Sequence, residues 1–298
     1  MRVAVFGAGA VGGLIGARLA SEAEVVLIGR PAFARAVRRN GLRIAGPRGG
    51  TFRVAAATRA DAARSADLVI LTTKAYDTEA AAAQLARARV GAPILSLQNG
   101  LTNLATLRRA LPRTVLLGGS IVVGVIREAP GRLRYTGGGR AVIGSARRGE
   151  AMLKEVAALF SRAGIPTQST NDLKSVLWSK AIVNAAVNPL TAILHCPNGE
   201  ILRRPETRLV SMLAAREASA AGRADGIRLP ADPWPEVARV LRDTPTNRTS
   251  MLQDVEAHRR TEIDAITGEI VRVADARRIP VPVNRALLAL VRAVEPPP

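Results

Sequence analysis

The chain has 298 residues, 48% of them hydrophobic and 3% aromatic, with 43 Lys and Arg against 24 Asp and Glu and a net charge of +19. That length allows two ordinary domains, each able to bury a core, and that hydrophobic content excludes general disorder. The basic residues are dispersed and stacking aromatics are few, which argues against a specific nucleic-acid partner, and no apolar run approaches the roughly twenty residues of a membrane span.

The first residues, Met1-Arg2-Val3-Ala4-Val5-Phe6, predict a strand over 2–6, followed by Gly7-Ala8-Gly9-Ala10-Val11-Gly12 and a helix over 10–21. Gly7 suits a tight strand exit, Gly9 lets backbone approach a pyrophosphate, and Gly12 lets helix and strand pack closely. The N–H groups of that helix start, with its dipole, favour phosphate. The glycines, and Arg18 beyond them, speak against a signal peptide. A second strand over 24–28 ends at Gly29-Arg30, where NAD sites carry a carboxylate for the ribose 2′-OH. A guanidinium there suits a 2′-phosphate, so NADP(H) is the expected cofactor.

Helices follow near 31–39, 77–89 and 101–110, strands at 67–72, 93–97 and 114–118, and a hairpin over 42–44 and 52–54. Lys74 and Asn99 stand just past two of these strand ends, where doubly wound sheets bind ligands. Asn99 serves equally well as a helix cap. Of the 43 basic residues four are lysines, Lys74, Lys154, Lys174 and Lys180, and the other 39 are arginines, so a retained lysine draws attention. Further β structure is expected over 121–144. Beyond about residue 170 helical periodicity prevails from Asp172 to Val294, ahead of the prolines 296–298. The fold class is α/β: an N-terminal Rossmann-type doubly wound sheet over 1–170, followed by an all-helical domain over 171–298.

In the helical half Lys180, Asn184 and Asn188 recur at i, i+4 and i+8 among apolar neighbours. A continuous helix puts them on one face, where an ammonium and two amides need polar partners. The alternatives are that Asn188 caps a helix starting at Pro189 and that Lys180 pairs with a carboxylate. Ser250 with Gln253 reads as a capping box. An unbroken helix from Ser250 to Glu262 would separate them by roughly 18 Å, so one would face a small substrate and the other a point further along. His195 and His258 lack metal-site spacing, and no metal is expected. The single Cys196 points to a reducing compartment, hence the cytoplasm.

The chain resembles the ketopantoate reductases (2-dehydropantoate 2-reductases). The resemblance spans nearly its whole length and rests on the opening Gly-Ala-Gly-Ala-Val-Gly-Gly, Thr73-Lys74-Ala75-Tyr76, Gln98-Asn99-Gly100, and Lys180-xxx-Asn184-xxx-Asn188-Pro189-Leu190-Thr191-Ala192. Cys196-Pro197-Asn198-Gly199, Ser250-Met251-Leu252-Gln253-Asp254-Val255 and Thr261-Glu262-Ile263-Asp264 complete it. The resemblance implies NADPH-dependent reduction of ketopantoate to pantoate, a step toward pantothenate and coenzyme A, with Lys180 as general acid. It implies that Asn99, Lys180, Asn184, Asn188, Asn198, Asn247 and Ser250 bind substrate. Gly7, Ala8, Gly9, Ala10, Val11, Gly12, Arg30, Lys74, Asn99, Gly124 and Glu262 would contact the cofactor. Thr249 departs from a common second serine, and Asp77 adds negative charge near the expected 2′-phosphate. The alternatives are a reductase of another 2-oxo acid or imine, and a non-catalytic NADPH-binding regulator. The expected partner is a small 2-oxo acid, with no nucleic acid or membrane; a homodimer through the helical half is compatible with the sequence.

Overall fold

The computed structural model describes residues 1–296, the side chain of Arg147 excepted; the last two prolines of the tail lie outside the described residues. The chain divides into two compact units, residues 1–98 with 103–173 and residues 99–102 with 174–298.

The first unit alternates strands and helices: β1 (Arg2–Phe6), α1 (Ala10–Leu19), β2 (Glu24–Ile28), α2 (Pro31–Asn40), β3 (Leu42–Ala45), β4 (Gly50–Phe52) and β5 (Ala55–Ala57). It continues through β6 (Leu68–Leu71), α3 (Thr78–Arg87), β7 (Ile94–Ser96), α4 (Asn103–Ala110), β8 (Leu116–Ala129), β9 (Arg132–Arg147), α5 (Glu150–Arg162) and β10 (Thr167–Thr170). One sheet runs in the order β4-β3-β9-β8-β7-β6-β1-β2-β5, with β10 on β9. From β5 to β8 the pairings are parallel. Strands covered on both faces must be apolar throughout, and Leu68, Val69, Ile70 and Leu71 of β6 are all buried. Helix α1 lies close to the sheet because Gly16 faces β2, where an added Cβ would stand 2.3 Å from Leu27 Cδ2.

The sequence expectations of a doubly wound sheet and a helical second half are met. The hairpin is β3–β4, with Leu42 opposite Phe52. The β segment is longer than expected: β8 and β9 form an antiparallel ribbon turning at Pro130-Gly131, and β9 joins β3 in parallel. Short β5 and β10 and helix α5 were not anticipated. Three alanines and a polar Thr-Gln-Ser-Thr run carry little β signal, so pairing with β2 and β9 decides their conformation.

The second unit is helical: most of α6 (Leu173–Leu194), then α7 (Asn198–Arg203), α8 (Pro205–Ala224), α9 (Trp234–Asp243), α10 (Ser250–Glu256), a π-helical turn (Asp264–Gly268), α11 (Glu269–Arg277) and α12 (Pro282–Val294). Its core gathers Trp178, Ile182, Ile201, Val237, Leu241, Met251, Ile270 and Leu287, among others. Two alternatives fall here. Pro189 lies inside α6, so Asn188 caps nothing. Helix α10 ends at Glu256, so no single helix joins Ser250 to Glu262 and the 18 Å spacing does not apply.

Candidate active site

In the first unit the chain leaves β1 for β2 on one side and returns at β6 on the other, so strand order reverses between β1 and β6. The glycine turn sits at that reversal, the usual ligand position in open α/β sheets. Gly7 has φ +97, and a Cβ on it would be 2.4 Å from Thr73 N. Thr72 Oγ1 donates to Gly7 O at 3.0 Å. Gly12 is equally confined, 2.3 Å from Thr72 Oγ1, whereas a Cβ on Gly9 would meet nothing nearer than Gly7 O at 3.8 Å. Packing therefore requires glycine at 7 and 12, and leaves open space at 9. Helix α1 has no side-chain cap and no acidic residue in its first turn. Its first backbone bond is Gly13 N to Gly9 O, so the N–H groups of Ala10, Val11 and Gly12 precede any helical acceptor.

Two cations stand beside this turn. Arg30 is exposed at the N-terminus of α2, next to Gly29, whose added Cβ would be 3.3 Å from Ala8 Cβ. Lys74 follows Thr73 past β6. Gln98 holds that strand end: its amide donates to Thr73 O at 3.1 Å, Thr73 Oγ1 at 3.0 Å and Thr78 Oγ1 at 2.8 Å, and accepts from Ser96 Oγ at 3.0 Å. Thr78 in turn donates to Asn103 Oδ1 at 2.8 Å. All four of Ser96, Gln98, Thr78 and Asn103 are buried. The sequence placed Gln98 at a strand end but gave no sign of this network, which depends on β6 and β7 being neighbours. Gly124 lies apart on β8, with β7 and β6 between that strand and β1.

In the second unit Lys180, Asn184 and Asn188 do share one unbroken helix. Lys180 is partly buried, and desolvation lowers its pKa to about 8, against the opposing attraction of Glu262. Glu262 is 6% exposed and accepts from Asn99 Nδ2 at 3.1 Å. Asn99 therefore does not cap a helix; α4 starts later, at Asn103. Leu101 N donates to Ala265 O at 3.1 Å, and Gly100, at φ +97, approaches so closely that a Cβ would be 2.8 Å from that oxygen.

Ser250 and Asn188 are tied through threonines. The N-cap of α10 is Thr249, whose Oγ1 accepts from Leu252 N at 3.1 Å, so the capping box expected at Ser250 and Gln253 is not formed. Gln253 instead donates to Arg248 O. Ser250 is the exposed first residue of the helix. Asn198 begins α7, its N–H on Asn247 O at 3.1 Å and its Nδ2 on Thr244 Oγ1 at 2.9 Å. Its Oδ1 is buried without a hydrogen-bond partner. Among the described residues no three or more His, Cys, Asp and Glu cluster as for a metal, and no helix is long and apolar enough to cross a membrane.

Known proteins share both halves. The model of "Ketopantoate reductase PanE/ApbA" matches residues 3–148, and that of its C-terminal region matches residues 172–295. The 2-dehydropantoate 2-reductase of Halobacterium salinarum is 36% identical over 300 residues, covering 99% of both chains. The crystal structure of a PanE/ApbA family ketopantoate reductase from Ralstonia eutropha superposes with a TM-score of 0.91 at 37% identity, over 99% of this chain and 98% of that one. A D-mandelate dehydrogenase solved with NADH and anilino(oxo)acetate gives 0.90 at 25% identity, over 99% of this chain and 98% of that one. The chain belongs to the ketopantoate reductase family of oxidoreductases.

Proposed function

We propose that the protein reduces 2-dehydropantoate to pantoate with NADPH, in the cytoplasm, on the route to pantothenate and coenzyme A. The observation that carries this reading is a partly buried Lys180, held near pKa 8 beside Glu262, at the head of the Asn184 and Asn188 face. The glycine turn fits a dinucleotide: uncommitted N–H groups at the start of α1, open space at Gly9, and no acidic residue in the first turn. Arg30 and Lys74 suit the 2′-phosphate, and Gly124 and Glu262 add contacts to the nucleotide. When bound, the reduced nicotinamide supplies hydride to the 2-oxo carbon.

Everything else falls to side chains. Lys180 donates its proton to the C2 oxygen as negative charge develops there, and its positive charge stabilises that oxygen. A pKa near 8 leaves the group mostly protonated at neutral pH yet ready to give up its proton. Asn184, Asn188, Asn247 and Ser250 present amide and hydroxyl groups to the carboxylate and hydroxyl of the substrate, and Asn99 stands between substrate and nicotinamide. Asn198, already bonded to Thr244 and to the Asn247 backbone, serves by holding that segment.

Steady-state oxidation of NADPH and NADH with a panel of branched and aryl 2-oxo acids tests this. Ketopantoate with NADPH is expected to give the highest kcat/KM. A second reading, an NADH-dependent reductase of an aryl 2-oxo acid, is favoured by the likeness to the D-mandelate dehydrogenase bound to NADH. A preference for NADH and phenylglyoxylate would establish it instead.

A further inference from the structure

Glu262 stands between two anchors supplied by the end of the chain. On its N-terminal side the buried N–H of Thr261 donates to Glu295 Oε1 at 2.7 Å. On its C-terminal side Asp264 Oδ1 accepts from Nε and Nη2 of Arg292 at 2.9 and 2.6 Å, and Asp264 Oδ2 accepts from Arg260 at 3.3 Å. Inside the segment Ile263 N donates to Thr261 Oγ1 at 3.1 Å, and Thr261 and Ile263 are 2% and 0% exposed. Glu262 sits at a bend, and helical backbone begins right after it at Ile263, passing at once into the π-helical turn from Asp264.

We propose that Glu295 and Arg292 are positioning residues that fix Glu262 for the nucleotide, making the C-terminal helix part of the cofactor site without touching the cofactor. The inference rests on the reading in which Glu262 contacts NADPH. Around Glu262 the N–H groups of Ala257, His258 and Arg259 bond to carbonyls of α10, and Glu262 O accepts from Ala265 N and Ile266 N, whereas the N–H groups of Thr261 and Ile263, on either side of Glu262, are held by side-chain oxygens. Glu295 provides a charge-assisted bond to a buried N–H one residue before Glu262, the stronger kind of anchor. The Arg292 pair is solvent-exposed, at 56% and 41%, so it contributes less and mainly orients the turn.

The test is a double-mutant cycle on NADPH binding, measured by calorimetry with the full chain. Glu295→Ala is expected to weaken NADPH by about three- to tenfold, the reach of one hydrogen bond. Glu295→Gln, whose amide oxygen still accepts from Thr261 N, should recover most of that loss. In a Glu262→Gln background, Glu295→Ala should cost less than about twofold, because its effect runs through Glu262. Amide exchange in nucleotide-free protein should show residues 261–265 opening faster in Glu295→Ala. If Glu295→Ala fails to fold, Arg292→Ala at its exposed position carries the same cycle with a smaller expected loss. Full additivity, or unchanged binding in Glu295→Ala while Glu262→Gln weakens it, overturns the proposal alone. Unchanged binding in Glu262→Gln overturns the reading of Glu262 and the proposal with it.

Discussion

Thr191 and Thr249 meet hydroxyl to hydroxyl at 2.7 Å, joining α6 to the N-terminus of α10. Thr191 gives its one proton to Asn188 O at 2.9 Å, so Thr249 is the donor between them. Thr249 also accepts from Leu252 N, and the chain of bonds runs unbroken from the turn that carries Asn188 to the turn that carries Ser250. Both hydroxyls are deeply buried, where an unpaired one is costly.

Thr249→Val keeps the shape and removes both bonds. Loss of the cap is expected to destabilise the protein by about 1–2 kcal/mol, read as a lower Tm. The KM for the 2-oxo acid should rise more than that for NADPH, because the turn that slackens carries Ser250. Thr249→Ser should restore both values. Equal changes in the two KM values would show that the pair serves stability alone.

Lys180 gives a pH profile with a definite sign. Its folded pKa, about 8, lies below the ordinary value of 10.5, because burial penalises the charged form. kcat/KM should therefore fall as pH rises through about 8, with loss of one proton. Since Glu262 raises that pKa, Glu262→Gln should move the fall to lower pH. A depressed pKa also means that this group's contribution to stability is present above 10.5 and is lost as pH falls through 8. Lys180→Ala should thus lose at least about a hundredfold in activity while being no less stable than the parent at pH 7. A smaller loss in a folded variant would remove Lys180 from the role of general acid.

The glycine turn separates folding from binding at adjacent positions. A Cβ at Gly12 collides with Thr72 Oγ1 at 2.3 Å and Gly7 O at 2.9 Å, so Gly12→Ala should destabilise by about 1–3 kcal/mol as well as weaken NADPH. A Cβ at Gly9 has no close neighbour in the protein. Gly9→Ala should leave stability within about 1 kcal/mol of the parent and still weaken NADPH about tenfold or more. Thermal unfolding beside a binding titration distinguishes the two, and an unimpaired Gly9→Ala would mean that the nucleotide does not approach that backbone.

How much of this could be read from residues alone follows from the range of each interaction. The glycine turn, Arg30 and the Lys180-Asn184-Asn188 face are local patterns of strand, turn and helix periods, and they stand where the pattern places them. The cap of α10 lies one residue from the expected Ser250, because Thr and Ser are chemically alike there and only the partner Thr191, 58 positions away, favours Thr249. The lowered pKa of Lys180 and the bond from Asn99 to Glu262 join residues far apart in the chain, so no spacing rule announces them. Strand β10 is illegible for a different reason, since its polar Thr-Gln-Ser-Thr run obeys neighbours rather than intrinsic preference, whereas helix α5 is rich in strong helix formers and carries its own signal.

Cofactor choice is the sharpest test of the first unit. Arg30 follows Gly29, which touches the glycine turn, and Lys74 follows Thr73, which packs on Gly7, so two cations flank one end of the expected nucleotide path. Opposing them, Asp77 closes a short turn onto Lys74, its N–H on Lys74 O at 2.9 Å. Arg30→Ala should raise the KM for NADPH by about ten- to a hundredfold, the reach of a charge-assisted bond to a phosphate, and leave that for NADH within about twofold. Asp77→Asn should act the other way, tightening NADPH severalfold without altering NADH, because it removes a like charge from the dianion's surroundings. Both effects should shrink as salt rises, Asp77 more than Arg30, since a bidentate contact resists screening better than a distant charge does. Equal losses for NADH and NADPH in Arg30→Ala would place the arginine on the shared part of the two nucleotides and leave the 2′-phosphate to Lys74.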